Sequence, residues 1–215
     1  MVVKLYGVAV SPNVTRVGMI LHEKNVPFEF ITVKYSEGEH KSPEYLAKQP
    51  FGQIPYLDDD GFIIYESRAI ARYIAEKYAD QGTKLIPTDV QGRALFEQAA
   101  SIETSHFDAH VVPILVEGVL KKMRNLEPDK AKYEEAMIAL ASKLDVYEQI
   151  LSKQRYLAGN ELTLADLFHI PFGDILPKAG CNAIQERPNV ARWFSELAGR
   201  PSWQAVKDGA IKSTV

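Results

Sequence analysis

Hydrophobic residues in the first part of the chain alternate over short stretches. Val2 to Gly7 is β-branched and alternating, and it is followed by Ser11, Pro12 and then Val14, Val17 and Leu21 at helical spacing, so the pattern predicts a strand and then a helix. Ser11 is a favoured N-cap and Pro12 a favoured first helical residue. A second strand is predicted over Phe28 to Val33, and a strand, helix and strand in succession form a crossover whose strands pair in parallel. Ile54 to Leu57 and Phe62 to Tyr65 flank Asp58-Asp59-Asp60-Gly61 and predict an antiparallel hairpin. A helix opens at Glu66-Ser67, with Ile70, Tyr73, Ile74 and Tyr78 on one face. With a short helix in the polar stretch around Pro43, the first 80 residues read βαβ, helix, ββα.

Beyond Asp80 to Thr88 the period changes to that of helices throughout. Tyr133, Met137, Leu140, Leu144, Tyr147 and Leu151 form one long apolar stripe, which is core packing. Leu162, Thr163, Asp166 and Leu167 supply a hydrophobic staple and capping box, and Trp193 and Trp203 are expected in the core. The expected division is therefore an α/β domain at 1–80, a linker at 81–88 and an all-α domain at 89–215.

Composition narrows the chemistry. Lys plus Arg number 25 against 28 Asp plus Glu, with no basic half, which argues against nucleic acid and anionic membrane as partners. A single cysteine, Cys181, excludes an internal disulfide and fits a reducing, cytoplasmic setting. The longest uncharged run, Leu5 to Thr15, is far short of a membrane span. No two glycines lie two apart and no Gly-Lys-Ser/Thr loop occurs, so nucleotide-binding fingerprints are missing. Glu103, His106 and His110 step by three and four and, on a regular helix, would face one way as a metal set; a polar cluster is the preferred reading.

The informative constellation is Ser11 at one helix mouth, Glu66-Ser67 at another, and Gln53-Ile54-Pro55 at the start of the hairpin. Helix N-termini attract anions, and a residue held extended before proline offers its N–H and C=O to a short peptide laid alongside. A small peptide with two separated anions is the ligand this pattern suggests.

Ser11-Pro12-Asn13-Val14-Thr15-Arg16, Gly38-Glu39-His40-Lys41-Ser42-Pro43, Pro50-Phe51-Gly52-Gln53-Ile54-Pro55, Glu66-Ser67-Arg68-Ala69-Ile70, the capping segment and Arg187-Pro188 together resemble the cytosolic glutathione transferases, and among them the phi class of plants and fungi. The resemblance implies a thioredoxin-like first domain, a helical second domain, a homodimer, a cis Pro55, no bound cofactor, and glutathione as co-substrate for addition to hydrophobic electrophiles. It assigns Ser11 as donor to the glutathione sulfur, His40 and Lys41 to the glycine carboxylate, Ile54 and Pro55 to the cysteinyl unit, and Gln53, Glu66 and Ser67 to the γ-glutamyl end. An acceptor pocket between the domains is expected to draw on Pro12, Tyr35, Phe107, Val111 and Leu115. Arg16 is read as steadying the thiolate field or tying the domains together, and stays outside the assigned site.

Lowering a thiol pKa from about 8.5 by two units requires about 2.7 kcal/mol. A charge-assisted hydrogen bond contributes about 1.5–3 kcal/mol and a helix N-terminus about 0.3–2 kcal/mol, so the range that Ser11 and its helix can supply together contains the required amount. Without a cysteine at position 11, chemistry through a protein mixed disulfide is not expected, whereas glutathione-dependent reduction of organic hydroperoxides remains open. The competing readings are a carrier that binds glutathione or hydrophobic ligands without turnover, and an interaction module like that of an elongation-factor subunit.

Overall fold

The computed structural model describes residues 2–215 and divides into two units, one running up to Ile86 and resuming at Arg200–Val215, the other Pro87–Gly199. In the first unit, strand β1 (Val3–Gly7) buries Val3, Leu5 and Gly7 and exposes Lys4, the alternation the sequence carries. Helix α1 (Pro12–Glu23) starts after Ser11 with Pro12 at its first position. Gly7 lets strand and helix approach closely, since a Cβ there would lie 2.5 Å from Val14 Cγ2. Strand β2 (Phe28–Thr32) pairs in parallel with β1, Val3 opposite Phe28. The short helix α2 (Pro43–Leu46) is capped by Ser42, whose Oγ accepts from the Tyr45 N–H at 3.2 Å. Strands β3 (Tyr56–Asp59) and β4 (Phe62–Tyr65) form the antiparallel hairpin. Asp60 and Gly61 turn it with φ of 57° and 89°, the positive pair that a tight two-residue hairpin demands. Helix α3 (Ser67–Lys77) follows and packs on α1. The sheet order is β2-β1-β3-β4, the mixed thioredoxin-like arrangement expected.

In the helical unit, Asp89 caps α4 (Val90–Ile102) by accepting from the Gly92 N–H at 2.7 Å. The chain then passes through a π-helical turn, Glu103–Asp108, into α5 (Ala109–Leu115), a second π-helical turn, Val116–Leu120, and α6 (Lys121–Met123). These wider turns break the three-and-four spacing on which the metal reading depended. Glu103 is buried and His106 exposed, so Glu103, His106 and His110 do not share a face, and no metal-holding group of His, Cys, Asp or Glu exists among the described residues.

Helix α7 (Lys130–Leu151) buries Leu140, Leu144, Tyr147 and Leu151. Ahead of α8 (Leu164–Leu167), the buried Asp166 carboxylate accepts from the Thr163 N–H and hydroxyl at 3.0 Å each, the Leu157 N–H at 2.9 Å and the Trp193 indole at 3.0 Å. In α9 (Ile170–Gly173) and α10 (Pro188–Ala198) the unit closes. Nδ1 of the buried His169 lies 2.8 Å from the Ala165 carbonyl, so it donates there and Nε2 accepts from the Tyr147 hydroxyl at 3.0 Å. No helix among the described residues is long and apolar enough to cross a membrane.

The expected helical domain at 89–215 needs a correction: residues 200–215 belong with the α/β unit. Helix α11 (Pro201–Gln204) brings Arg200 and Ser202 to Glu23 at the end of α1. Ile211 fills the space opposite Gly18, where a Cβ would come within 2.4 Å of its Cδ1. Ser213 and Thr214 accept from the Phe30 and Phe28 N–H groups at 2.8 and 2.9 Å, and the Thr214 N–H donates to the Phe28 carbonyl at 2.9 Å. The outer edge of β2 is thereby covered rather than left to pair with another chain.

Candidate functional site

The sheet register brings the three sequence-predicted loops to one end. Tyr6 stands opposite Tyr56, and Tyr56 opposite Tyr65. The end of β1 leading to Ser11, the start of β3 following Ile54-Pro55, and the end of β4 leading to Glu66-Ser67 therefore lie side by side.

At the first mouth, Ser11 has φ −74° and ψ 126°, and its side chain makes no capping hydrogen bond. Its N–H donates to the Val8 carbonyl at 2.9 Å, and its own carbonyl accepts from the N–H groups of Val14 and Thr15 at 3.0 and 2.9 Å. Thr15 turns its hydroxyl to the Pro12 carbonyl at 3.1 Å. The backbone of Ser11 thus anchors the helix start while its half-buried hydroxyl has no partner among the described residues. Pro12 brings no N–H, so nothing competes at the first helical position.

At the second mouth, Glu66 adopts φ 70° and ψ 106°. A positive φ at a residue with a Cβ costs about 1–3 kcal/mol and concentrates at functional positions. Glu66 is exposed, whereas Ser67 is 6% exposed and Arg16 fully buried. Arg16 Nη1 donates to Ser67 Oγ at 2.8 Å and to Asn13 Oδ1 at 2.6 Å. Arg16 therefore binds α1 to α3 within one unit. Spacing along the chain held no signal for this contact, since 51 residues separate the partners.

The third component is the segment around α2. Lys41 is exposed and its Nζ donates to the Phe51 carbonyl at 3.1 Å. Gly52 has φ 59°, and a Cβ there would lie 2.6 Å from that Nζ; glycine lets the lysine cross the turn. Gln53 is exposed, its carbonyl accepting from the Tyr45 hydroxyl at 2.7 Å and its N–H donating to Gln49 Oε1 at 3.3 Å. The Ile54–Pro55 bond is cis, and neither the N–H nor the C=O of Ile54 has a backbone partner among the described residues. The His40 ring stacks on Tyr35 with centroids 3.7 Å apart, and its Nδ1 is buried without a partner among the described residues.

Of the residues expected to line an acceptor pocket, Pro12 is half-buried and Tyr35 is 44% exposed with one face covered by His40. Phe107 and Val111 have no exposed surface and Leu115 only 5%. Phe107 packs 4.7 Å from the His169 ring, centroid to centroid, inside the helical unit. On this part of the chain the apolar side chains serve the core.

Two family models match the chain: glutathione S-transferase, N-terminal domain, over residues 1–76, and glutathione S-transferase, C-terminal domain, over residues 105–201. Glutathione S-transferase hmp2 of Hypomyces subiculosus is 47% identical over 207 residues, 94% of this chain and 96% of its own. Glutathione S-transferase F11 of Arabidopsis thaliana is 40% identical over 97% and 98% of the two chains. The crystal structure of glutathione transferase F7 from Populus trichocarpa matches with a TM-score of 0.93 at 38% identity, over 98% of this chain and 100% of that one.

Proposed function

The chain belongs to the phi class of the glutathione S-transferase family and is a glutathione transferase, and we propose that it works through Ser11, whose hydroxyl holds the sulfur of bound glutathione as a thiolate for attack on hydrophobic electrophiles. The observation that carries this reading is the uncommitted Ser11 hydroxyl at the mouth of α1. A serine kept for capping would turn its oxygen back to its own helix; this one is left to donate outward. No base is needed to activate it, because the nucleophile is the sulfur of the bound peptide.

The remaining contacts follow from charge and from open backbone groups. His40 and Lys41 meet the glycine carboxylate, the N–H and C=O of Ile54 pair with the cysteinyl unit beside Pro55, and Gln53, Glu66 and Ser67 hold the γ-glutamyl end. There the Glu66 carboxylate accepts from the ammonium and the Ser67 hydroxyl donates to the carboxylate. Glutathione is a co-substrate in this scheme, and the chemistry runs without a cofactor. A solved relative, glutathione S-transferase I from maize, 33% identical over 98% of each chain with a TM-score of 0.89, is described in complex with an atrazine glutathione conjugate. A hydrophobic acceptor of that kind suits the reading. Organic hydroperoxides are a second acceptor class, the thiolate attacking oxygen directly. Cys181, fully buried in the helical unit, is not placed to supply a protein sulfur for disulfide chemistry. A carrier without turnover is not favoured.

Comparison of the wild type with Ser11→Ala, using a chlorinated nitroaromatic acceptor, tests the proposal. The expected result is a loss of at least about tenfold in kcat, about 1.4 kcal/mol, with glutathione binding largely kept. Equal rates would remove Ser11 from the chemistry. The active form is read as a homodimer, on the support of the exposed aromatic side chains Phe51 and Phe62 of the first unit, 65% and 51% exposed. Sedimentation of the wild type should give twice the 24.1 kDa chain mass; a monomer that turns over would refute the dimer.

A further inference from the structure

We propose that Arg16 is a positioning residue for glutathione that acts through Ser67, an inference resting on the reading of Ser67 as the contact for the γ-glutamyl carboxylate. Arg16 lies on the second turn of α1, fully buried. One of its nitrogens donates to both Ser67 Oγ and Asn13 Oδ1, at 2.8 and 2.6 Å.

A guanidinium has donors only, so this contact fixes the role of the serine. With a lone pair of Oγ occupied by the cation, the Ser67 O–H is the part left to give. Within the chain its acceptor is Asn13 Oδ1, 3.5 Å away and already held by Arg16, a distance at the outer limit of a hydrogen bond. An incoming carboxylate at the α3 mouth offers that hydrogen a better acceptor. Arg16 thus presents Ser67 as a donor before the ligand arrives, and places a positive charge behind the hydroxyl that faces an anion.

The same nitrogen sets Asn13, the second residue of α1, and so links the helix mouth carrying Ser11 to the one carrying Ser67. Arginine suits the task because its planar, preorganised fork holds two acceptors at fixed angles; a lysine ammonium keeps the charge and loses that geometry.

The test is a double-mutant cycle with Arg16→Lys, Ser67→Ala and both together, each scored for glutathione KM, kcat and melting midpoint. Ser67→Ala is expected to raise KM about fivefold. Arg16→Lys is expected to raise it about as much, with kcat within about twofold of wild type. The double variant is expected to match Ser67→Ala within about twofold, because without the Ser67 hydroxyl the arginine no longer has that donor to present to the ligand. Effects that multiply to about 25-fold overturn the proposal. So does an Arg16→Lys variant with unchanged KM, including one that only melts earlier or loses active protein, the signature of a merely structural role. If Arg16→Lys does not fold, Arg16→Gln carries the same comparison. Ser67→Ala with unchanged KM overturns the reading of Ser67 itself, and that outcome is distinct from a failure of the coupling.

Discussion

The two ends of helix α1 are treated in opposite ways. At its C-terminal end the charged side chains of Glu23 and Lys24 are held by several partners. The Glu23 carboxylate accepts from Arg200 Nε and Nη2 at 2.6 and 2.8 Å, from the Thr83 hydroxyl at 2.5 Å and from the Ser202 hydroxyl. The buried Lys24 donates from Nζ to the Thr83 carbonyl at 2.9 Å, and Gln81 Nε2 donates to the Lys24 carbonyl at 2.7 Å. At the N-terminal end the Ser11 hydroxyl has no partner among the described residues. One end fixes the helix to the rest of its unit, and the other leaves a donor and the positive end of the dipole for a ligand.

The largest effect that separates the two ends is on stability. Removing Glu23 takes the carboxylate away from the partly buried Arg200, so Glu23→Ala is expected to lower unfolding free energy by about 3–5 kcal/mol in denaturant titration, with glutathione KM unchanged. Burial alone would raise the Glu23 pKa, but Arg200, Ser202 and Thr83 outweigh it and hold the carboxyl below its ordinary 4.5. A folded-state pKa below the unfolded value contributes stability above the unfolded value, lost as pH falls through the folded one. The wild type should therefore lose stability more steeply than Glu23→Ala below about pH 4.5; parallel pH profiles would place the clamp's energy elsewhere. Ser11→Ala stands at the other extreme. A capping serine costs about 0.5–2 kcal/mol when truncated, whereas here the melting midpoint should stay where it is while turnover falls. A midpoint that drops along with the rate would make Ser11 a cap after all.

Much of the first unit was legible because its signals are local. Alternation in Val3–Gly7, the Ser11-Pro12 start and the Asp60-Gly61 turn each act over a few residues, and each element formed within two residues of its expected bounds. The parallel pairing of β1 and β2 followed from the helix that lies between them in sequence. What stayed hidden depends on partners far apart in sequence. Arg200 reaches Glu23 across 177 residues, and the local pattern of the short helix Pro201–Gln204 has no means of saying which core that helix serves. The buried Arg16 is a similar case, an arginine whose partner lies on another helix. The Glu103, His106 and His110 set failed for a different reason: it assumed 3.6 residues per turn through a segment that is π-helical. The positive φ at Glu66 had no residue cue either, since glycine or asparagine usually marks such a position.

The central claim is that the open end of α1 makes a bound thiol more acidic, and ultraviolet titration of the thiolate in the glutathione complex measures that directly. The account predicts ionisation about two pH units below the free-thiol value of about 8.5 in the wild type, and a return most of the way to that value in Ser11→Ala. Ionisation in the wild-type complex at the free-thiol value, or an equal shift in both proteins, would contradict it.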